Sequence, residues 1–210
     1  SEKTPLCGVA CQHIVAKVFL ENDLPEGISC LVNGDAKIGQ RLSADNRIPL
    51  ISATGSTRMG KAVAQTVAAR LGRSLLELGG NNAIIISEHA DVNIAIRAAV
   101  FGAVGTAGQR CTTTRRLIIH ESVYDEVKTK LAKAYQQLNI GNPLDMNNHV
   151  GPLIDKMAVD NYLQSIQMVK EQGGKFIVEG GVLAGAGYES GCYVKPCIAE
   201  VENHYPIVQD

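Results

Sequence analysis

The 210-residue sequence lacks several features by which classes of protein are recognised, such as abundant aromatic residues, an excess of one charge and long apolar runs. It contains no tryptophan and only 4% aromatic residues but 21 glycines, a composition that favours an α/β protein over a β-sandwich. Its 20 basic and 21 acidic residues nearly balance, which argues against a nucleic-acid or anionic-membrane partner. No apolar run approaches the length of a membrane span, and no charged-then-apolar leader opens the chain.

Cysteine and histidine are present without the spacings of a structural framework. The six cysteines, at positions 7, 11, 30, 111, 192 and 197, fit neither a dense disulfide pattern nor paired metal knuckles. None of the five histidines has a metal-ligand spacing such as H-E-x-x-H. We therefore expect reduced thiols in the cytoplasm and no metal site.

Helical and extended patterns alternate along the chain. Predicted strands cover residues 28–32, 48–53, 74–78, 82–87, 116–120, 175–182 and 193–201. Predicted helices cover residues 4–24, 36–42, about 59–71, 91–104, 123–138 and 155–172. The alternation favours a parallel-rich α/β sheet. The break at Gly79-Gly80 is the one internal place that indicates a domain boundary, giving domains of residues 1–79 and 80–210.

Three local predictions concern packing and helix capping. Residues 82–87 are apolar without alternation, which predicts a strand buried on both faces. The helix that Asp91 caps is apolar nearly all round, which predicts a buried helix. Ser122, with Asp125 three residues later, resembles a capping box for the next helix.

A strand runs directly into Gly55-Ser56-Thr57-Arg58-Met59-Gly60 and then into a helix. Free N–H groups and a positive dipole end make such a helix start suitable for a phosphate. Gly55 lets the backbone approach a ligand, and Ser56 or Thr57 can cap the helix or donate a hydroxyl. An ordinary capped turn is the alternative, and the segment departs from the G-x-G-x-x-G dinucleotide fingerprint.

Glu77 and Cys111 are the candidate reactive residues. Glu77 lies between two leucines at a strand end, where desolvation suits a general base, although a surface glutamate is the alternative. Cys111 follows a predicted buried helix and a glycine turn, and Arg110 and Arg115 could favour its thiolate. The alternative is a buried structural thiol.

A cysteine–histidine pair is a further possibility for Cys111. Either His120 or His149 could serve as its base, as in cysteine proteases. No local pattern supports either histidine.

The combination of GSTRMG, ELGG and GQRC resembles the signature of the aldehyde dehydrogenase superfamily. The resemblance extends over essentially the whole chain, through SEKTP, GNPLD and GPLID. The stretches ELGGNNAII and AVGTAGQRCTTTRRL are most similar to the antiquitin-like branch, the α-aminoadipic semialdehyde dehydrogenases. This implies an aldehyde dehydrogenase-like α/β fold. Residues 1–79 would form the latter part of a Rossmann-like cofactor domain, and residues 80–210 much of a catalytic α/β domain.

The resemblance also implies roles for individual residues. Cys111 would attack the aldehyde, with its N–H in an oxyanion hole, and Glu77 would activate water to hydrolyse the thioester. The turn that carries Gly55, Ser56 and Gly60 would bind the pyrophosphate of NAD. Glu2 would bind the adenosine ribose, which favours NAD over NADP.

Arg110 would meet a substrate carboxylate through bidentate pairing. The alternative is a structural arginine that ties down the cysteine loop.

The implied activity is oxidation of an aldehyde, α-aminoadipic semialdehyde for this branch, to a carboxylic acid through a cysteine thiohemiacetal and thioester. Alternatives are a betaine, succinic or aliphatic aldehyde as substrate, or a noncatalytic relative. An acylating enzyme is disfavoured because Glu77 is present to activate water. We expect the chain to be an internal piece of a homo-oligomeric enzyme, with little or no turnover when isolated.

Overall fold

In the computed structural model, which describes residues 2–209, the chain's contacts cluster into two units. The first unit ends at Gly79 and the second begins at Gly80. Their assignment to a cofactor domain and a catalytic domain stays a prediction. No helix within residues 2–209 is both long enough and apolar enough to cross a membrane.

The first unit is built around a pair of parallel strands. Its elements are α1 (Pro5–Glu21), α2 (Ala36–Ala44), β1 (Leu50–Gly55), α3 (Thr57–Ala69) and β2 (Arg73–Leu78). Leu50 lies opposite Arg73 and Gly55 lies opposite Leu78. The strand–helix–strand order of β1, α3 and β2 follows the predicted alternation.

Two sequence predictions for this unit are wrong. Residues 28–32 are irregular rather than a strand, and Ile28 is 60% exposed. Within the described residues β1 and β2 pair only with each other, so this segment has no strand partner for its peptide groups. Gln12 on α1 contacts it instead, donating from Nε2 to the Ser29 carbonyl at 2.9 Å. Leu71 lies beyond the end of α3 with φ of 58° and is 95% exposed, so it does not join the apolar face of that helix.

The second unit contains the larger part of the chain. Its elements are β3 (Ala83–Ile86), α4 (Val92–Val104), β4 (Arg116–Ile119), α5 (Tyr124–Gln136), α6 (Lys156–Glu171), β5 (Lys175–Val178), β6 (Gly181–Val182), β7 (Val194–Lys195), β8 (Ile198–Glu200) and α7 (Pro206–Gln209). β3 and β4 are parallel, whereas β5 pairs with β8 and β6 with β7 in antiparallel fashion. The predicted parallel arrangement therefore applies to β1–β2 and β3–β4 but is wrong for the later strands.

The core of the second unit lies between β3, α4 and α5. Its buried members are Ile86, Ile96, Ala99, Val127 and Leu131. The predictions of burial on both faces of β3 and all round α4 are wrong, since Ile85 is 76% exposed, Ile94 65% and Phe101 69%. Each element packs with one face only, and its other apolar face is open within the part of the chain that the structure describes.

The starts of α4 and α5 differ. Asp91 caps α4 as predicted, accepting hydrogen bonds from the N–H groups of Asn93 and Ile94 at 2.9 and 3.0 Å. The capping box predicted for α5 is wrong, because that helix begins at Tyr124 without a side-chain cap. A 3-10 turn precedes it, and the Ser122 hydroxyl lies 2.9 Å from His120 Nδ1 instead.

Candidate functional site

The β1–α3 junction, residues 55–60, presents hydrogen-bond donors at a helix start. Ser56 is the N-cap of α3, and its hydroxyl oxygen accepts the Met59 N–H at 3.1 Å. The hydroxyl proton therefore remains able to donate. Thr57 and Arg58 lie in the first turn, where N–H groups have no acceptor within the helix. With no acidic side chain in that turn, this donor set suits a phosphate group.

The two glycines of this junction serve different purposes. Gly60 is buried, and its N–H donates to the Ser56 carbonyl at 2.9 Å. A Cβ on Gly60 would come within 2.5 Å of Leu78 Cδ2, so glycine allows α3 to lie close against β2. Its contribution to the predicted phosphate site is therefore to position the helix. A side chain at Gly55 would collide with the terminal methyl group of Met59.

Glu2 and Glu77 are both exposed carboxylates of the first unit. Glu2 lies in the turn before α1, and Glu77 lies on β2 opposite Thr54. The expected desolvation of Glu77 between its leucine neighbours is wrong for the described chain. Alternation along the strand directs the half-buried Leu76 and Leu78 to one face and leaves Glu77 on the other.

Cys111 lies in residues 105–113, a segment that we call the nucleophile turn after the predicted role of that cysteine. Its first part is a 3-10 turn in which Thr106, Ala107 and Gly108 have φ of 56°, 52° and 72°. Left-handed backbone costs a residue with a side chain about 1–2 kcal/mol. The segment that leads to Cys111 is therefore strained at Thr106 and Ala107.

The peptide groups around Cys111 have defined directions. The Arg110 carbonyl accepts the Thr113 N–H at 3.1 Å, and Thr113 Oγ1 accepts the Arg110 N–H at 3.0 Å. Because a trans peptide is planar, the Cys111 N–H points away from that Arg110 carbonyl. Within residues 2–209 it has no hydrogen-bond acceptor, so it is available to an incoming oxyanion.

Cys111 is exposed in the described chain, unlike the buried structural cysteine that is the alternative to a reactive role. Cys197 provides the contrast within the same unit. It lies beside Tyr162, and burial is the main cause that raises the pKa of the Cys197 thiol. A raised pKa keeps that thiol protonated and unreactive.

Arg110 contacts the end of α4. Its Nη2 donates to the Phe101 carbonyl at 3.0 Å, and its guanidinium carbon lies 4.9 Å from the centre of the Phe101 ring. Its Nε is buried and has no hydrogen-bond partner among the described residues. These contacts are those of an arginine that ties the nucleophile turn to α4, while contact with a substrate carboxylate stays a prediction.

The histidines proposed as alternative bases have other partners. His120 Nε2 lies 3.9 Å from Glu88 Oε2, and His149 Nδ1 accepts the Asn139 N–H at 3.0 Å. Neither histidine has a described contact with Cys111. Among residues 2–209, no group of three or more His, Cys, Asp or Glu residues could hold a metal ion.

Two polar residues that the sequence did not single out hold the nucleophile turn. Asn82 Nδ2 donates to the carbonyls of Cys111 at 2.7 Å and Thr113 at 3.0 Å. Gln109 accepts the Ile154 N–H at 2.9 Å and donates to the Pro152 carbonyl at 3.4 Å. The available signal for Asn82 was an amide side chain at the start of the otherwise apolar run of residues 82–87, because the polar atoms of such a residue need hydrogen-bond partners.

Comparison with known proteins identifies the family of the chain. The sequence profile of the aldehyde dehydrogenase family matches residues 1–210. The chain is 47% identical to aldehyde dehydrogenase family 7 member A1 from Pisum sativum over 207 residues, which are 99% of this chain and 40% of that protein. It is 49% identical to α-aminoadipic semialdehyde dehydrogenase from Bos taurus over 201 residues, 96% of this chain and 36% of that protein.

A solved structure shares the fold. A betaine aldehyde dehydrogenase double mutant from Staphylococcus aureus, crystallised with NAD+, superimposes with a TM-score of 0.91 and 26% identity. The match covers 100% of this chain and 42% of that one. The chain thus spans about two fifths of the proteins that it resembles, and it belongs to the aldehyde dehydrogenase family.

Proposed function

We propose that the protein contributes the nucleophile turn and a cofactor-binding junction to an NAD-dependent aldehyde dehydrogenase. The observation that carries the proposal is the exposed Cys111 thiol, whose own backbone N–H has no acceptor among the described residues. A nucleophile beside an oriented donor is the arrangement that acyl-transfer chemistry requires.

In the proposed reaction, the Cys111 thiolate attacks the aldehyde carbon and forms a C–S bond. The carbonyl oxygen takes the electron pair of the broken π bond, and the Cys111 N–H stabilises the resulting oxyanion. Bound NAD supplies the acceptor for the hydride that leaves this carbon as the thioester forms. Glu77 then takes a proton from water, which attacks the thioester and releases a carboxylic acid and the Cys111 thiol.

The β1–α3 junction fits the pyrophosphate of NAD through the Ser56 hydroxyl and the free N–H groups of the first turn of α3. Gly55 keeps a side chain away from this approach, and Gly60 positions the helix. Glu2 is proposed to bind the adenosine ribose. Its carboxylate would repel a 2′-phosphate, so we propose NAD rather than NADP.

The proposed substrate is α-aminoadipic semialdehyde, supported by the 49% identity to the bovine enzyme of that name and by Arg110 as a carboxylate partner. Another aldehyde is the alternative.

The free cysteines support a proposed cytoplasmic location. The exposed Ile85, Ile94 and Phe101 support a homo-oligomeric enzyme.

The test follows NADH formation from α-aminoadipic semialdehyde in the protein expressed across its whole natural reading frame. Cys111→Ala should abolish turnover, whereas Cys30→Ala, a change at another exposed cysteine, should leave it intact. Folded protein that binds NAD yet oxidises no aldehyde would instead support a noncatalytic relative.

Arg110→Ala separates the two roles of that residue. If Arg110 binds the substrate carboxylate, the variant should lose far more kcat/KM on the semialdehyde acid than on a neutral aldehyde of equal length. Equal losses on both substrates would leave only the contact with Phe101 as its role.

A further inference from the structure

We infer that Asn82 is a positioning residue for Cys111, an inference that rests on the proposed function of that cysteine. Asn82 lies directly before β3, and its side chain reaches the nucleophile turn. One amide nitrogen donates to the carbonyls of Cys111 and Thr113, at 2.7 and 3.0 Å. The two donors of a single side chain therefore hold two peptide groups of the turn.

Two peptide planes flank Cys111, one on each side of its Cα. The hydrogen bond from Asn82 to the Cys111 carbonyl fixes the plane that joins Cys111 to Thr112. The plane between Arg110 and Cys111 is held by the Thr113 N–H on the Arg110 carbonyl. The plane between Cys111 and Thr112 is held at its carbonyl by Asn82. Because these planes determine φ and ψ of Cys111, they set the direction of both its side chain and its N–H.

Asn82 is itself firmly anchored. Its carbonyl accepts hydrogen bonds from the N–H groups of Arg115 and Arg116, at 3.0 and 3.1 Å. β3 and β4 are parallel and begin together, with Ala83 opposite Arg116. Asn82 therefore connects the β3–β4 edge to the nucleophile turn, in which Thr106 and Ala107 are strained. Without the amide, the Cys111–Thr112 peptide has no described partner for its carbonyl.

The adjacent Asn81 supplies a matched control. It is also an asparagine with a hydrogen-bonded amide, but its Nδ2 donates to the Val208 carbonyl at 2.7 Å. Its own carbonyl accepts from the Arg116 guanidinium at 2.8 Å. Asn81 thus contributes to the same strand edge without a described contact with the nucleophile turn.

The experiment measures the iodoacetamide alkylation rate of each cysteine by peptide mass spectrometry in the wild-type protein, Asn82→Asp and Asn81→Asp. Aspartate keeps the shape of asparagine but removes both N–H donors and places charge beside two carbonyl oxygens. In Asn82→Asp, and in Asn82→Ala, which removes the amide without adding charge, the Cys111 rate should fall severalfold relative to Cys7, Cys11 and Cys30, because losing both donors frees the Cys111–Thr112 peptide plane that orients the thiol. Asn81→Asp should leave the Cys111 ratio unchanged.

The outcomes separate this inference from the proposed function. If Cys111 is no more reactive than the other exposed cysteines in the wild type, and aldehyde does not protect it from alkylation, the proposed nucleophile is wrong. If Cys111 is reactive and protected but Asn82→Asp alkylates at the wild-type ratio, the positioning role is wrong. Should Asn82→Asp not fold, Asn82→Ala is measured in the same way and must show the same selective loss.

Discussion

The β1–α3 junction and the nucleophile turn achieve a defined backbone by different means. At the junction, the hydrogen bonds that define the helix start join near neighbours: the N–H groups of Met59 and Gly60 both donate to Ser56. In the turn, the partners of Cys111, Gln109 and Arg110 include Asn82, Pro152, Ile154 and Phe101, which lie 9 to 45 positions away. The predicted phosphate site is therefore held mostly within a short segment, while the position of Cys111 depends on the folded unit around it.

The first prediction tests a distant contact of the junction, between Gly60 and Leu78, and carries the largest expected effect. Gly60→Ala should lower the free energy of unfolding by about 1–3 kcal/mol, because the new Cβ overpacks against Leu78. Gly39→Ala is the matched control in α2, where a Cβ would meet nothing within 4 Å. It should raise stability by up to about 1 kcal/mol. Urea unfolding of both variants measures the difference, and equal shifts would contradict a packing role for Gly60.

The second prediction concerns the local part of the junction. Ser56→Ala should cost about 1 kcal/mol of unfolding free energy, because the Met59 N–H loses its cap. Ser56→Asp retains a capping oxygen and should keep stability, yet its charge should weaken NAD binding measured by calorimetry. Unchanged NAD affinity in Ser56→Asp would argue against pyrophosphate at this helix start.

Backbone strain distinguishes the nucleophile turn from the junction. It predicts that alanine-to-glycine substitution changes the free energy of unfolding in opposite directions in a helix and in this turn. Ala98→Gly, at an exposed position of α4, should destabilise by about 1 kcal/mol. Ala107→Gly should be neutral or stabilise by up to about 1 kcal/mol, because glycine adopts the left-handed conformation that Ala107 has at φ 52°. Equal losses in the two variants, again by urea unfolding, would show that the turn carries no such strain.

The smallest expected effect is at Gln109. Gln109→Glu removes the donor to the Thr106 and Pro152 carbonyls but keeps an acceptor for Ile154, at a cost of about 0.5–1 kcal/mol. Gln109→Leu removes both functions. Hydrogen exchange of the Ile154 amide should therefore accelerate in Gln109→Leu and stay near the wild-type rate in Gln109→Glu. The same rate in both would mean that Gln109 does not link these segments.

Burial was the property that sequence patterns predicted least well. The apolar run of residues 82–87 was expected to be covered on both faces, but Ile85 is exposed because β3 packs with one face on α4 and α5. Glu77 was expected to be desolvated by its neighbours in sequence, yet strand alternation directs them to the opposite face. In both cases the local sequence shows which side chains are apolar. Which of them are buried depends on the helices and strands that pack against them.

The sequence by itself predicted a helix start at Ser56 or Thr57 and another at Asp91, because capping is a short-range property. It also carried the motifs whose resemblance to the aldehyde dehydrogenase family implies the candidate roles of Cys111 and Glu77. The tertiary structure alone decided that Gly60 packs against Leu78, that Arg110 lies on Phe101 and that Asn82 holds the Cys111 carbonyl. Those contacts join residues brought together by the pairing of parallel strands and the packing of helices against them. The contact partners of Gly60, Arg110 and Asn82 are therefore determined by how the chain folds, and not by which residues are neighbours in the sequence.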